Sequence, residues 1–160
     1  MYNYKHNLEL QSNSGSKNMQ QPQKFTDQAP SCATINIRNL RLRTLIGFNP
    51  EERLKKQDVV LNIEINYGID NAVLQDKVEE ALNYKVVTKK VIEHVEQGKF
   101  LLLEKLVSDV LSICSEHPGV RSSKVTIDKP HALRFADSVS LTLEYQAPGV
   151  SIHPILEKAS

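Results

Sequence analysis

NYKVVTKKVIEHVEQGKFLLLEKLVSDVLSICSEHPG, residues 83–119, carries two helical periods in succession. In its first half Tyr84, Val87, Val91 and Val95 recur at spacings of three and four, which places them on one face of a helix. Asn83 stands in front as an N-cap, since a short side-chain carbonyl accepts from the orphan N–H groups of a first turn. Gly98 is the corresponding C-cap. In the second half Leu103, Leu106, Val107, Val110 and Cys114 share a stripe, and Pro118-Gly119 ends the helix. Two consecutive helices with apolar stripes need a surface to cover.

The flanking sequence supplies it. Leu61, Ile63, Ile65 and Tyr67 alternate with Asn62, Glu64 and Asn66, the period of a half-buried strand. Ile35 and Ile37 alternate likewise, and Leu40 and Leu42 resume out of phase after Asn39, which predicts a bulge in a long first strand. Between these strands Ile46-Gly47-Phe48-Asn49-Pro50 reads as a loop. After the helices, Val125 and Ile127 belong to a third strand, with Val139, Leu141, Leu143 and Tyr145 in a fourth. The order ββααββ predicts an α+β fold: one antiparallel four-stranded sheet with both helices on its apolar face. Such a sheet leaves two long strand edges unpaired, so a homo-oligomer that joins edges into a ring, with active sites between subunits, is expected.

Composition bounds the rest. The 160 residues suit one domain, and 20 Lys+Arg against 19 Asp+Glu give no general attraction to nucleic acid or an anionic membrane. No apolar run reaches the ~20 residues of a membrane span, and residues 1–20 lack a signal-peptide core. Cys32 and Cys114 make neither a disulfide framework nor a thiolate metal motif, so a reducing cytoplasm is the expected compartment. Between Gln11 and Pro30, 13 of 20 residues are Gln, Asn, Ser, Gly or Pro, too few apolar side chains to offset ordering. Residues 1–33 are therefore read as a flexible polar extension, with Met19 an alternative start, 34–146 as the folded domain and 147–160 as a short tail.

Several chemistries lack their device. His6, His94, His117, His131 and His153 show no zinc spacing, and His94 reads as a surface or rim residue. There is no glycine-rich dinucleotide loop, phosphate-binding loop or serine nucleophile elbow. What remains is polar residues at element ends. Lys129-Pro130 closes the third strand, because proline stops the ladder there and leaves a lysine at its end. Glu104 opens the second helix, where the helix dipole alone favours an acid. Tyr84 starts the first helix, either as a core-edge aromatic or as a site residue; Glu51 and Glu52 are simplest as solvated loop charges.

Four blocks carry a resemblance over about 34–146: Ile37 to Thr44 with Ile46-Gly47; Ala81-Leu82-Asn83-Tyr84; Leu102 to Leu106; and Asp128 to Ser140. In these the chain resembles the dihydroneopterin aldolase family, whose subunits share the tunnelling fold. It is most similar to the branch that inverts the 2′ carbon of a dihydropterin triphosphate, with aldol cleavage as the alternative activity and a non-catalytic pterin-binding scaffold as a third. The resemblance implies a 7,8-dihydropterin substrate with a trihydroxypropyl side chain. It also implies no cofactor and no metal, and an octamer of two stacked tetrameric rings. Lys129, matching the family's catalytic lysine, would do base chemistry, aided by partial desolvation or a nearby cation. Tyr84 would handle the proton at the pterin, and Glu52 would position the lysine and the hydroxylated side chain. Glu104 would grip the ring's 2-amino and N–H groups, with Leu102 and Leu103 beside it. Tyr84 and Glu104 would come from different subunits. Arg134, His131 and Lys85 are the expected contacts for the triphosphate.

Overall fold

The structure, a computed structural model, describes residues 32–70, 76–78 and 81–150. The expectations for most of the extension (1–31) and for the end of the tail (151–160) lie outside the described residues. Seven elements follow: β1 (Cys32–Ile46), β2 (Gln57–Gly68), α1 (Tyr84–Gln97), β3 (Lys99–Phe100), α2 (Leu103–Ser115), β4 (Val120–Pro130) and β5 (Ser138–Gln146). The sheet order is β3-β1-β2-β4-β5, antiparallel throughout except for β3, which runs parallel to β1.

Both helices and four of the strands are those expected from periodicity; the sheet has a fifth strand, so the four-stranded expectation is corrected. β3 is two residues long, Lys99 and Phe100 pairing with Leu45 and Ile46. A period of two cannot declare itself over two residues, and only the tertiary contact creates this strand.

The bulge in β1 is present. Its register against β2 shifts between Ile37 and Leu40, Asn39 takes φ 54°, and its N–H donates to Asn62 Oδ1 at 2.9 Å. Asparagine tolerates this left-handed conformation better than most residues. The shift lets Ile35 and Ile37 as well as Leu40 and Leu42 meet one core.

That core lies between the sheet and the two helices. Val59, Leu61, Ile63 and Ile65 of β2 and Val125 and Ile127 of β4 meet Val91 and Val95 of α1 and Leu106, Val107, Val110 and Cys114 of α2. Full burial of each large aliphatic side chain is worth about 1.5–3 kcal/mol, more than any propensity term in helices this short. Asn83 caps α1 as predicted, its Oδ1 accepting from the N–H groups of Lys85 and Val86 at 3.1 and 3.3 Å. Gly98 is the C-cap, but with φ −78° it is extended rather than left-handed. It is glycine for lack of room: a Cβ there would stand 2.3 Å from the Phe100 ring and 2.7 Å from the His94 carbonyl.

The helices run antiparallel and are tied by His94 to Asp109 and by Lys90 to Glu116, while Lys105 braces Asp109 from within α2. His94 Nε2 lies 3.0 Å from Asp109 Oδ2, Lys105 donates to Asp109 Oδ1 at 2.7 Å, and Lys90 reaches Glu116 at 2.6 Å. Burial pushes the Asp109 carboxyl up, but the hydrogen bonds from Lys105 and His94 outweigh it and hold it below the ordinary aspartate value. His94 thus sits part-buried at the rim, its ring 5.5 Å from that of Phe100.

β4 ends in two stages. Its pairing with β2 stops at Asp128, opposite Val60, whereas β5 continues beside it through Lys129–Val139 and Pro130–Ser138. Proline therefore does not stop the ladder before itself; it is the last paired residue, at the strand's end, where a missing N–H costs little. What frees Lys129 on one side is the departure of β2.

Candidate active site

Around Lys129 the chain builds a polar cluster from the β1–β2 loop. Gly47 opens that loop with φ 134°, a conformation that favours glycine, and its N–H donates to the Phe100 carbonyl at 2.9 Å. This bond ties the loop to the short strand that leads into α2. Two residues on, Asn49 and Glu52 close a turn reciprocally. The Glu52 N–H donates to the Asn49 carbonyl at 3.1 Å, and the Asn49 N–H donates to Glu52 Oε2 at 3.2 Å. The return bond from the Glu52 side chain to the Asn49 N–H is one half of a capping box, the other half being replaced by the Asn49 backbone carbonyl.

The turn aims the other carboxylate oxygen at β4. Lys129 Nζ donates to Glu52 Oε1 at 2.5 Å, with 13% of the lysine side chain and 24% of the glutamate side chain exposed. The Lys129 hydrogen bond is the main cause that holds the Glu52 carboxyl below its usual range; partial desolvation opposes it, and the Asn49 N–H and the Gln57 side chain assist. Beneath the carboxylate is Gly47: a Cβ on this residue would stand 2.1 Å from Glu52 Oε2. Glycine is required here by conformation and by space together. Of the surroundings anticipated for Lys129, partial burial is present; its neighbour is a carboxylate rather than a cation.

Glu104 lies in the first turn of α2, exposed, with no ion pair or side-chain hydrogen bond among the described residues. Leu102 occupies the N-cap position with φ −121° and ψ 139° and offers no side-chain cap. Among the described residues the first N–H groups of α2 thus have no side-chain acceptor, beside an unpaired carboxylate and the half-exposed Leu101 and Leu102. Leu103, the first residue of the helix, is partly buried against the core. A hollow of about 230 Å³ lined by Leu45, Gly47, Arg53, Lys99, Phe100 and Leu101 adjoins this head.

Tyr84 is elsewhere. It begins α1, half exposed, and with Lys85, Thr88 and Ile92 lines a hollow of about 400 Å³ on the outer side of that helix. Since α1 and α2 are antiparallel and 14 and 13 residues long, the heads of the two helices are about a helix length, ~20 Å, apart. One chain does not bring Tyr84 and Glu104 around one small molecule. His131, with φ 60°, and Arg134 are on the exposed β4–β5 loop that follows Lys129-Pro130, where the Arg134 guanidinium lies 5.4 Å from the Phe135 ring centroid.

The structure therefore unites Glu52 with Lys129, sets Glu104, Leu102 and Leu103 at the head of α2 beyond Gly47 and Phe100, and leaves Tyr84 and Lys85 on a separate surface. Sequence reasoning missed Gln57 and the backbone of Asn49. A polar residue opening a strand looks like a boundary, and a main-chain donor has no signature in sequence. The pair can hold and hand over a proton with little rearrangement, and the open α2 head can take a planar group rich in donors and acceptors. Among the described residues no three His, Cys, Asp or Glu side chains gather as a metal ion would need, and no helix there is long and apolar enough to cross a membrane.

The family model for dihydroneopterin aldolase matches residues 35–144. The dihydroneopterin triphosphate 2′-epimerase of Escherichia coli K12 is 52% identical over 118 residues, 74% of this chain and 98% of that protein. The enzyme of the same name from Pseudomonas aeruginosa is 50% identical over 114 residues, 71% of this chain and 93% of its own. Among solved structures, E. coli dihydroneopterin aldolase in complex with neopterin superposes with a TM-score of 0.63 at 27% identity, covering 71% of this chain and 98% of that one.

Proposed function

The chain belongs to the dihydroneopterin aldolase family and is an enzyme related to those aldolases, and from that premise we propose that it is a dihydroneopterin triphosphate 2′-epimerase. It converts 7,8-dihydroneopterin triphosphate to the dihydromonapterin triphosphate, with a side aldolase activity on the unphosphorylated pterin. The observation that carries this reading is the Glu52–Lys129 pair, 2.5 Å apart and largely withdrawn from water, in a chain half identical to two enzymes of that name.

The reaction needs a base for the 2′-hydroxyl, an acid near N5 and a grip on both fragments. As the 2′-hydroxyl proton leaves, the C1′–C2′ bond breaks. Its electrons pass into the N5=C6 imine of the dihydropterin, N5 takes up a proton, and a phosphorylated hydroxyaldehyde is left beside an enamine. Re-addition to the other face of the aldehyde restores every atom with C2′ inverted. The ring itself is the electron acceptor, so the chain supplies positioning and proton transfer.

Lys129, in its neutral amine form, would take the proton of the 2′-hydroxyl, positioned by Glu52, whose carboxyl the Lys129 hydrogen bond holds below its usual range in the resting site. Glu104 would accept from the 2-amino and ring N–H groups, and the uncapped head of α2 at Leu102 and Leu103 would donate to ring acceptors. Tyr84 of a neighbouring copy would complete the site, which accounts for its distance from Glu104. Arg134, His131 and Lys85 would hold the triphosphate so that the aldehyde fragment turns without escaping. Among the described residues the edge of β5 and the edge of β1 before Leu45 are unpaired and favour ring closure, and we assign the assembly as an octamer of two tetrameric rings in the cytoplasm. Residues 1–33 would be a polar extension to the domain at 34–146, with 147–160 a tail.

Incubating purified protein with 7,8-dihydroneopterin triphosphate and resolving the oxidised, dephosphorylated products by chiral chromatography tests the reading. A monapterin product with its side chain intact supports the epimerase. Stoichiometric 6-hydroxymethyl product would instead make the chain an aldolase, and no turnover with retained binding would make it a scaffold.

A further inference from the structure

Helix α1 carries its charges against its own dipole. The first two turns hold Lys85, Lys89 and Lys90 and no acid, whereas Glu93 and Glu96 lie in the C-terminal half. A helix prefers the reverse order, by about 0.3–1 kcal/mol for a charge near an end. The three lysines are not equivalent. Lys90 reaches Glu116 at the end of α2 at 2.6 Å and so serves the packing of the two helices. Lys85 has no ion pair among the described residues. Lys89 has only Glu93, at 3.9 Å, and 77% of its side chain is exposed; lysine before glutamate is also the weaker order for such a pair. Lys85 and Lys89 both line the hollow of about 400 Å³ that Tyr84 opens, with Thr88, Ile92 and Glu93. Thr88 already donates its hydroxyl hydrogen to the Tyr84 carbonyl at 2.8 Å, and Asn83 takes the N–H groups of Lys85 and Val86. Among the described residues, the side-chain donors left for an anion in this hollow are the two ammonium groups and the Tyr84 hydroxyl.

We propose that Lys89 is a specificity-determining residue: with Lys85 one turn before it, it holds the triphosphate of the substrate whose pterin the adjacent Tyr84 serves. The inference rests on the reading given above, in which Tyr84 completes the site of a neighbouring copy. Residues four apart on a helix have Cβ atoms about 5–6 Å apart, so the two ammonium groups can grip two phosphate groups of one triphosphate. The phosphates then run along α1 away from Tyr84, and Glu93, a further turn on, closes the track with a like charge. After C1′–C2′ scission the phosphates remain on the aldehyde fragment. The grip that sets the preference for a phosphorylated substrate therefore also retains that fragment until the bond is remade, and Lys89 favours inversion over release.

The test compares Lys89→Met and Lys89→Arg, in the full-length enzyme, on 7,8-dihydroneopterin triphosphate and on 7,8-dihydroneopterin. Lys89→Met is expected to lower kcat/KM for the triphosphate about tenfold, the size of one lost charge-assisted hydrogen bond, with the unphosphorylated compound within about twofold. The share of 6-hydroxymethyl product formed from the triphosphate should rise severalfold, and Lys89→Arg should restore both readouts. Lys90→Met, on the same helix but turned to Glu116, should leave the ratio between the two substrates unchanged. A wild-type ratio in Lys89→Met, an equal loss on both substrates, or the same change of ratio in Lys90→Met overturns the proposal, because a structural role or a diffuse field would act in those ways. Tyr84→Phe separates that failure from a failure of the premise. If it turns over both substrates at the wild-type rate, α1 is not part of the site, and the phosphate track falls with it.

Discussion

Gly47 has no functional group, yet replacing it with alanine should damage the enzyme as severely as removing a catalytic side chain. Two costs add. A non-glycine residue at φ 134° is strained by about 1–3 kcal/mol. The new Cβ would stand 2.1 Å from Glu52 Oε2, so the carboxylate must leave its seat. Its charge-assisted hydrogen bond with Lys129, worth about 1.5–3 kcal/mol at low exposure, then goes with it. Together these are roughly 3–6 kcal/mol against a typical domain stability of about 5–15 kcal/mol. At a urea dependence of roughly 2 kcal/mol per molar the unfolding midpoint should fall by about 2 M, compared at one protein concentration because assembly contributes. Turnover should fall in step with that of a Glu52 variant. The two costs separate in a Glu52→Ala background, where only the backbone strain of about 1–3 kcal/mol remains. A Gly47→Ala enzyme with the wild-type midpoint and wild-type turnover would refute the seating of Glu52 on Gly47.

Lys129→Ala should abolish most turnover while leaving assembly and pterin affinity largely intact, and unchanged turnover would remove lysine from the chemistry. Glu104→Ala should do the reverse, raising the pterin dissociation constant in a calorimetric titration; wild-type affinity would refute the ring anchor. Because the folded-state pKa of Glu52 lies below its unfolded value near 4.5, the pair stabilises fully above that value and is lost as pH falls through the folded pKa. Denaturation of wild type and Glu52→Gln should therefore diverge at neutral pH and converge in acid, and a gap that does not narrow as the pH falls would contradict this. Burial pushes the Cys114 thiol up to about 12, whereas Cys32 is exposed. A thiol reagent should modify one cysteine per native chain quickly and the second only on unfolding, and stability should decline above about pH 9 as the unfolded thiol alone ionises. Rapid labelling of both would contradict the packing of α2.

The fold was legible where a period repeats often enough to be seen. Leu61 to Tyr67 and Tyr84 to Val95 each pass through several repeats, and even the slip at Asn39 showed as a change of phase. β3 escaped because Lys99 and Phe100 become a strand through contact with Leu45 and Ile46, which no local pattern encodes. Gly98 was placed correctly as a cap for a different reason than its position suggested, since the Phe100 ring excludes a side chain there. At the site, Lys129 and Glu104 were visible as charged residues at element ends, but their chemistry was not; spacing left both as ordinary solvated groups. Glu52 looked like one of two loop acids until the fold set it against Lys129, 77 residues away. Gln57 and the Asn49 N–H were invisible, because their work depends on where a loop folds back.

If a reduced pterin takes up the electrons of C1′–C2′ scission while the Glu52–Lys129 pair supplies the proton transfer, activity must depend on the N5=C6 imine of the substrate. Turnover of the 7,8-dihydro triphosphate should be set beside that of its tetrahydro counterpart, which binds through the same ring edge but has no N5=C6 imine. Inversion of the dihydro compound, with the tetrahydro compound bound yet unchanged, is the predicted result. Equal inversion of both would mean that the electrons go elsewhere.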